Sequence, residues 1–146
     1  MRHTLSFAVL ILAITSLACS DVANLAGVPA FDCANPPKER LHVGPRDLVD
    51  AFGSNVVQAE ATYGGGQVLE VAGEASRVSR DDGGAFIGIR SGPLGKGKVQ
   101  AYFPDANAAA FGAVQEGQQV TVLAQLRVGK STEKRITLQS ACLVTQ

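Results

Sequence analysis

The 146-residue sequence predicts one mainly β domain, a small barrel that is preceded by a helix. Its composition, 46% hydrophobic and 18% charged, suits a single globular core. Apolar residues recur at helical spacing in segment 45–63, and from residue 67 onward they alternate with polar residues, which is the period of a strand. Glycine-rich and charged turns divide this second part into short strands, as in barrels.

The first 18 residues are predicted to be a signal peptide that lies outside the folded domain. Arg2 precedes an apolar run over residues 5–17, which is too short to span a bilayer comfortably. The exit from this run, Ser16-Leu17-Ala18-Cys19, resembles a bacterial lipobox, in which the cysteine receives lipid and becomes the mature N-terminus. Lipid on Cys19 would hold the protein at a membrane surface, whereas ordinary cleavage after Ala18 would leave an unlipidated cysteine.

Residues 19–44 are predicted to form a flexible tether, because glycine and proline interrupt any regular element there. If Cys19 carries lipid, Cys33 and Cys142 remain, and an oxidising compartment would allow them to form a disulfide. The alternative is a free Cys33 in the tether and a buried Cys142 in the last strand. The sequence alone does not show that the two sulfurs meet.

Segment 45–63 is predicted to be one helix that packs against the barrel. Pro45 suits its first turn, and the glycines at 64–66 end it. Its apolar residues recur at spacings of four, four, three and four, which indicates a single buried face. They are Leu48, Phe52, Val56, Ala59 and Tyr63.

Five strands are predicted after this helix from the alternation of apolar and polar residues. They cover residues 67–78, 85–90, 98–103, 119–128 and 136–144. Gly73 in the first strand would permit a bend or bulge, and Val128 is expected to face inward at the end of the fourth strand. A short helix over residues 106–115 separates the third and fourth strands. This order is that of the OB-fold, a five-stranded, partly open Greek-key barrel.

Several short segments resemble those of the tRNA_anti-like family, a bacterial family named for its likeness to the anticodon-binding domain. The segments are Asp47-Leu48 with Phe52, Asn55, Ala59 and Tyr63, then residues 68–73, 99–103, 116–122 and 138–142. The resemblance covers residues 45–146 and implies an OB-fold in a secreted or lipid-anchored protein. It implies no particular ligand, because the family name records likeness of fold.

The resemblance also bears on the cysteines. Many members of the family place a cysteine before the aromatic pair of the third strand, where this chain has Ala101. A disulfide between the third and fifth strands is therefore not available. The resemblance leaves Cys33 as the partner for Cys142 within the domain, other than Cys19.

A candidate binding surface follows from the use that OB-folds make of the outer face of their second and third strands and of two flanking loops. Strand alternation directs four side chains to this face, and a basic loop flanks it. Arg80 and Asp81 would form the opposite rim. The candidate ligand-binding residues are Phe86, Arg90, Gln100, Tyr102, Lys130, Lys134 and Arg135.

Such a surface suits a flat or anionic ligand, because aromatic rings stack on planar or sugar faces and basic side chains bind phosphate or carboxylate groups. The alternative is that Phe86 and Tyr102 merely cover each other across the hairpin.

Charge and motif content limit the function classes. Removing residues 1–18 takes one arginine and no acid from 13 basic and 13 acidic residues, which leaves a net charge of −1. This balance, with 5% aromatic residues and no tryptophan, does not favour nucleic acid. The mature chain keeps one histidine, His42, and contains no motif for a metal, a nucleophile or a phosphate-binding loop. No catalytic residue, metal or cofactor is therefore expected.

The sequence thus predicts an exported, lipid-anchored OB-fold binding or interaction module of the bacterial cell envelope. It would face the periplasm and bind an envelope partner such as a protein, a peptide or a glycan. Without lipid on Cys19, the protein would instead be a soluble periplasmic or secreted binder. A nucleic-acid-binding domain, for tRNA or single-stranded DNA, is the alternative.

Overall fold

The structure, a computed structural model, describes residues 29–93, 98–105 and 108–144. The predicted signal peptide and Cys19 lie outside this range. Within it, six strands and three helices follow one another along the chain. They are β1 (Leu41–His42), α1 (Pro45–Ser54), α2 (Val56–Tyr63), β2 (Val68–Asp81), β3 (Gly84–Ile89), β4 (Val99–Phe103), α3 (Ala108–Gly112), β5 (Gln119–Leu126) and β6 (Ile136–Leu143). None of the helices in the described residues is both long and apolar enough to cross a membrane.

Five of the strands form a closed barrel in the order β2, β3, β4, β6, β5, with β5 pairing again with β2. All pairs are antiparallel except β4 with β6. The helix between β4 and β5 occupies the predicted place. This arrangement is that of the OB-fold, and the fold prediction is confirmed. The sixth strand, β1, is an addition that pairs in parallel with the start of β2.

The long strand β2 closes the barrel by pairing with a different neighbour along each half. Residues 68–74 pair with β5, and residues 75–81 pair with β3. The register shifts between Ala75 and Arg77, so the bulge lies two residues beyond Gly73, where the sequence predicted a bend. Gly73 has another role: a Cβ atom there would lie 2.7 Å from Ile89 Cγ2 and 3.3 Å from Pro45 Cγ. The glycine therefore lets the start of α1 approach the barrel.

The core fills the barrel and continues under the leading helices. Leu69 and Val71 of β2 are fully buried, as their alternation predicts, and Leu48 and Phe52 of α1 pack into the same cluster. Phe111 of α3 contacts Phe103 of β4, with ring centroids 5.8 Å apart. Because α1 and α3 both contribute to this core, neither is a loosely attached appendage.

The prediction of a single helix over residues 45–63 is wrong, because the chain forms two helices that meet at Asn55. Asn55 has an extended backbone, with φ −160° and ψ 104°, and its side-chain Oδ1 accepts a hydrogen bond from the backbone N–H of Gln58 at 3.0 Å. It therefore caps the second helix. The apolar spacing continues across the break because both helices pack on the same core, with Phe52 before the break and Ala59 after it.

Replacing Asn55 with alanine is expected to lower the free energy of unfolding by about 1 kcal/mol, because the cap of α2 would be lost. Urea unfolding of the variant and of Ser54→Ala would measure the difference. Ser54 is a matched control, since its exposed hydroxyl only donates to the carbonyl of Asp50, one turn earlier. Equal losses in the two variants would contradict the capping role.

The prediction of a flexible tether over residues 19–44 is also wrong for residues 29–44, which the structure describes. From Phe31 the chain lies against the outside of the barrel, beside Val68 and Leu123. Cys33 forms a disulfide with Cys142, with Cα atoms 5.7 Å apart. Glycine and proline content reflects local backbone preference and carries no information about such long-range contacts. Residues 19–28 lie outside the described residues.

Candidate functional site

A cleft of about 320 Å³ opens on the outside of the barrel, at the end where β2 turns into β3. The two-residue turn between these strands forms one wall, and the loop joining β5 to β6 forms the other. The surface of β4 and β6 lies between the walls. The lining residues are Asp81, Asp82, Gly83, Tyr102, Arg127, Lys130, Arg135 and Thr137.

The first wall fixes the position of the Tyr102 side chain. The Asp81 carboxylate accepts the Gly83 backbone N–H at 2.8 Å with one oxygen and the Tyr102 hydroxyl at 2.8 Å with the other. A Cβ atom on Gly83 would come within 2.7 Å of the Tyr102 ring, so only glycine lets the turn approach the ring this closely. Asp81 and Gly83 together hold Tyr102 in the cleft.

The second wall is a loop that is held by its own side chains. Ser131 is buried, and its hydroxyl oxygen accepts the backbone N–H of Thr137 at 2.9 Å. The Thr132 hydroxyl oxygen accepts the backbone N–H of Arg135 at 3.1 Å. At the start of the loop, the backbone N–H of Gly129 donates to Glu60 of α2 at 2.7 Å. These bonds shape the loop before any ligand binds, which lowers the entropic cost of binding.

The cleft carries opposite charges on its two walls. Asp81 and Asp82 belong to one wall, and Arg127, Lys130 and Arg135 belong to the other. In the described part of the chain, no carboxylate oxygen lies within 4.0 Å of a side-chain nitrogen of these three cations. Their hydrogen-bond donors are therefore available to a ligand with a phosphate or carboxylate group.

Tyr102 is a hydrogen-bond donor at neutral pH. Burial raises the pKa of its hydroxyl above the ordinary value of 10.0, and the hydrogen bond to Asp81 and the charge of that carboxylate raise it further. Arg135 and Arg127 act on this pKa in the opposite direction, which reflects their position on the same cleft. The phenol therefore stays neutral beside the three cations.

Replacing Asp81 with asparagine is expected to lower the pKa of Tyr102 toward 10, because the carboxylate that favours the neutral phenol is removed. Absorbance of tyrosinate during an alkaline titration would measure the shift. Tyr102→Phe is the control, since it leaves Tyr63 as the one tyrosine and identifies the Tyr102 transition.

The same pKa has a consequence for stability. Because the pKa of Tyr102 is higher in the folded state, the stability that this group contributes to the folded state is fully present below pH 10. It is lost as the pH rises through the folded pKa. An unchanged titration in Asp81→Asn would contradict the coupling between the two side chains.

The structure brings some of the predicted site residues together. Tyr102, Lys130 and Arg135 line the cleft, and the Oε1 atom of Gln100 lies 3.3 Å from the Tyr102 hydroxyl oxygen. Lys134 is exposed in the loop that forms the second wall. These residues remain candidates for ligand binding.

Two other predicted residues do not form part of an exposed patch. Phe86 is only 2% exposed, because Tyr102 covers its ring at 5.2 Å and the Arg77 guanidinium lies over it at 5.6 Å. The alternative reading of the sequence, in which Phe86 and Tyr102 cover each other, describes this arrangement. Arg90 forms an ion pair with Glu74 at 2.8 Å and does not line the cleft.

Sequence reasoning missed Arg127 and Thr137 because it assigned them to the fourth and fifth strands and counted only residues 129–135 as the flanking loop. Val128 was expected to face inward, whereas β5 ends at Leu126 and Val128 is 52% exposed. Gly129, with φ +73°, was the signal that the chain already turns here. An earlier strand end would have assigned Arg127 to the basic loop that flanks the site.

A second cavity, of about 380 Å³, lies between α3 and the ends of β5 and β6. Val114, Val120 and Leu143 are among its lining residues, none of which carries a charge. In the part of the chain that the structure describes, no three His, Cys, Asp or Glu side chains are grouped closely enough to hold a metal ion. The cleft beside Tyr102 is therefore the better candidate for polar recognition.

Comparison with known proteins supports the fold. A family model described as tRNA_anti-like matches residues 1–142. A crystal structure of a Klebsiella pneumoniae protein, provisionally called a nucleic acid-binding lipoprotein, is 21% identical and has a TM-score of 0.62. The match covers 76% of this chain and all of that one, and it shows a shared fold.

A second solved structure, provisionally called an aspartyl-tRNA synthetase from Leishmania major, is 16% identical with a TM-score of 0.45. The match covers 81% of this chain and 23% of that one. No curated protein matches the sequence.

Proposed function

The chain belongs to the tRNA_anti-like family, and from this premise we propose that it is an exported, lipid-anchored binding module of the cell envelope. Its ligand would occupy the cleft between the β2–β3 turn and the β5–β6 loop. The observation that carries the proposal is the combination of the Tyr102 side chain with three cations that have no ion-pair partner among the described residues. This combination suits an anionic group attached to a ring.

The size and chemistry of the cleft narrow the ligand class. A volume of about 320 Å³ is near the lower limit for small-molecule sites, so it accommodates one or two rings or the end of a chain. Arg127 and Arg135 can each donate paired hydrogen bonds to a phosphate or carboxylate. Asp82, exposed on the opposite wall, can accept hydrogen bonds from hydroxyl or amino groups. An anionic glycan or peptide of the envelope combines these features.

Anion binding can be tested with inorganic pyrophosphate as the probe, by calorimetric titration at constant ionic strength. Arg127→Ala/Arg135→Ala is expected to weaken binding at least about tenfold, since each arginine contributes charge-assisted hydrogen bonds. Lys38→Ala/Arg46→Ala removes the same charge from exposed positions outside the cleft and is expected to leave the affinity unchanged. Equal affinities in both double variants would contradict the proposed site.

Envelope anchoring through Cys19 is the second part of the proposal. It is supported by the lipobox-like sequence at residues 16–19 and by the lipoprotein name of the Klebsiella protein of the same fold. The intact mass of the membrane-extracted protein should equal the chain from Cys19 plus acyl groups, and Cys19→Ala should abolish this species. An unmodified mass that begins at Cys19 or later would exclude the anchor and leave a soluble periplasmic or secreted binder.

Nucleic acid is the second candidate ligand, because the cleft lies where OB-folds bind single strands and because Tyr102 could stack on a base. The name of the Klebsiella protein also points to it. The coverage of Phe86 opposes it, since it leaves few rings on which bases could stack. A ten-nucleotide thymidine strand that binds more tightly than pyrophosphate, with strong salt dependence, would favour this candidate.

A further inference from the structure

The loop that forms the basic wall of the cleft also presents an unusual surface to solvent. Residues 127–135 carry four basic side chains and one acidic side chain, in a chain whose formal net charge is zero. Every residue of this loop except Ser131 is exposed, and the apolar Val128 is 52% exposed. Within the described residues, none of the four cations lies within 4.0 Å of a carboxylate oxygen. Exposed cations around an apolar side chain are typical of surfaces that meet anionic lipid.

The path of the N-terminal segment leads toward this loop. Cys33 is joined to Cys142, which pairs with Leu123 of β5. Four residues earlier, the carbonyl of Pro29 accepts a hydrogen bond from the Gln125 side chain at 3.4 Å. Followed backward, the chain therefore moves along β5 in the direction of its last residue. Gln125, which is 4% exposed, lies two positions before Arg127.

The length of chain that precedes Pro29 limits where an anchored membrane can lie. Nine residues lie between Cys19 and Pro29, which makes ten steps along the chain, and even a fully extended chain of ten steps spans only about 33–36 Å. The bilayer that holds Cys19 must lie within this reach of Gln125. The start of β5 is about 20 Å farther from the basic loop than Gln125 is, so a bilayer at that end would require the tether to turn back along the barrel.

From these observations we infer that the β5–β6 loop rests on an anionic phospholipid surface, with Val128 inserted among the headgroups. The inference rests on the proposed anchored binding module and keeps its anion-binding cleft, but it assigns a phospholipid headgroup as the occupant in place of a glycan or peptide. The group that Arg127, Lys130 and Arg135 receive is the phosphate of a phospholipid headgroup. The disulfide and the hydrogen bond between Pro29 and Gln125 hold Pro29 at the end of β5 that leads into this loop, so an anchor at Cys19 would keep the cleft toward the bilayer.

Vesicle sedimentation of the unlipidated Cys19→Ser chain tests the inference without help from the anchor. Vesicles that contain phosphatidylglycerol should bind the chain, and vesicles of phosphatidylcholine alone should bind it much more weakly. Lys130→Ala/Lys134→Ala should reduce binding about 25-fold, or about fivefold for each cation near the surface. Lys38→Ala/Arg46→Ala should change it little. Equal binding to the two vesicle types, or equal losses in the two double variants, would overturn the inference.

Glycerol 3-phosphate, a soluble probe with the same phosphate chemistry, separates failure of this inference from failure of the proposed function. If it binds in an Arg127- and Arg135-dependent manner while phosphatidylglycerol vesicles do not bind, the membrane contact is excluded and the anion-binding cleft stands. If neither binds, both are excluded. If a ten-nucleotide thymidine strand at equal phosphate concentration displaces the chain from vesicles, the ligand of the cleft is nucleic acid and the inferred lipid contact is wrong. Vesicle binding that persists against this strand and falls in Val128→Ser supports the lipid surface.

Discussion

Replacing both Cys33 and Cys142 with serine is expected to lower the free energy of unfolding by about 2–4 kcal/mol. The disulfide joins positions 109 residues apart, so it restricts nearly the whole domain in the unfolded state. It also holds Phe31 against Val68 and Leu123 on the outside of the barrel. Urea unfolding under non-reducing conditions would measure the loss.

Cys19→Ser is the matched control for this experiment, because it removes a thiol and leaves the Cys33–Cys142 pair intact. It is expected to unfold at the urea concentration of the wild-type chain. Alkylation should find one free thiol in the unlipidated wild-type chain and none in Cys19→Ser. A wild-type chain with three reactive thiols after export, or a Cys33/Cys142 variant of unchanged stability, would show that the disulfide does not contribute.

Replacing Phe52 with alanine is expected to cost about 3–5 kcal/mol, because a large, fully buried ring would leave a cavity between α1 and the barrel. Phe52 is 1% exposed and belongs to the same core cluster as the barrel strands. The loss should appear as a lower midpoint in urea with an unchanged slope, as expected for one cooperative unit.

Val57→Ala, on the neighbouring helix α2, is the control for Phe52. Val57 is 78% exposed, so its truncation should change stability by no more than about 0.5 kcal/mol. If Phe52→Ala were as mild as Val57→Ala, the leading helices would be an appendage to the barrel and not part of its core.

The barrel itself could be predicted from the sequence because its signals are local. Leu69 and Val71 alternate with polar neighbours, and the glycines at 83 and 84 mark the first hairpin, so strand positions and inward faces follow from the pattern. The helix between β4 and β5 then selects the OB-fold among small barrels. None of these inferences required knowledge of a contact between distant residues.

The features that could not be predicted depend on contacts between distant segments. Alternation correctly placed Phe86 outside the barrel cluster but could not show that Tyr102 and Arg77 bury it there. The break at Asn55 was hidden because two helices on one core produce nearly the same apolar spacing as one. Arg90, which was expected on the binding face, forms an ion pair with Glu74 of β2 and does not line the cleft.

The candidate site was predicted only in part, because some of its features depend on contacts between distant segments. Lys130 and Arg135 were found because they lie in a loop that flanks the binding face of OB-folds, and Tyr102 because of its position in β4. Asp81 was expected only as part of the rim, yet its carboxylate joins the turn to the Tyr102 hydroxyl. Such a bond depends on side-chain directions that the strand period does not specify.

The most direct test of the account is a chemical-shift map of the backbone amides during titration with pyrophosphate. Gly83, Tyr102, Lys130 and Thr137 should shift together along one binding curve, because they lie around one cleft. Val114, Val120 and Leu143, which line the uncharged cavity beside α3, should stay in place. Shifts confined to that second cavity, or spread evenly over the exposed cations of the surface, would contradict a binding cleft between the β2–β3 turn and the β5–β6 loop.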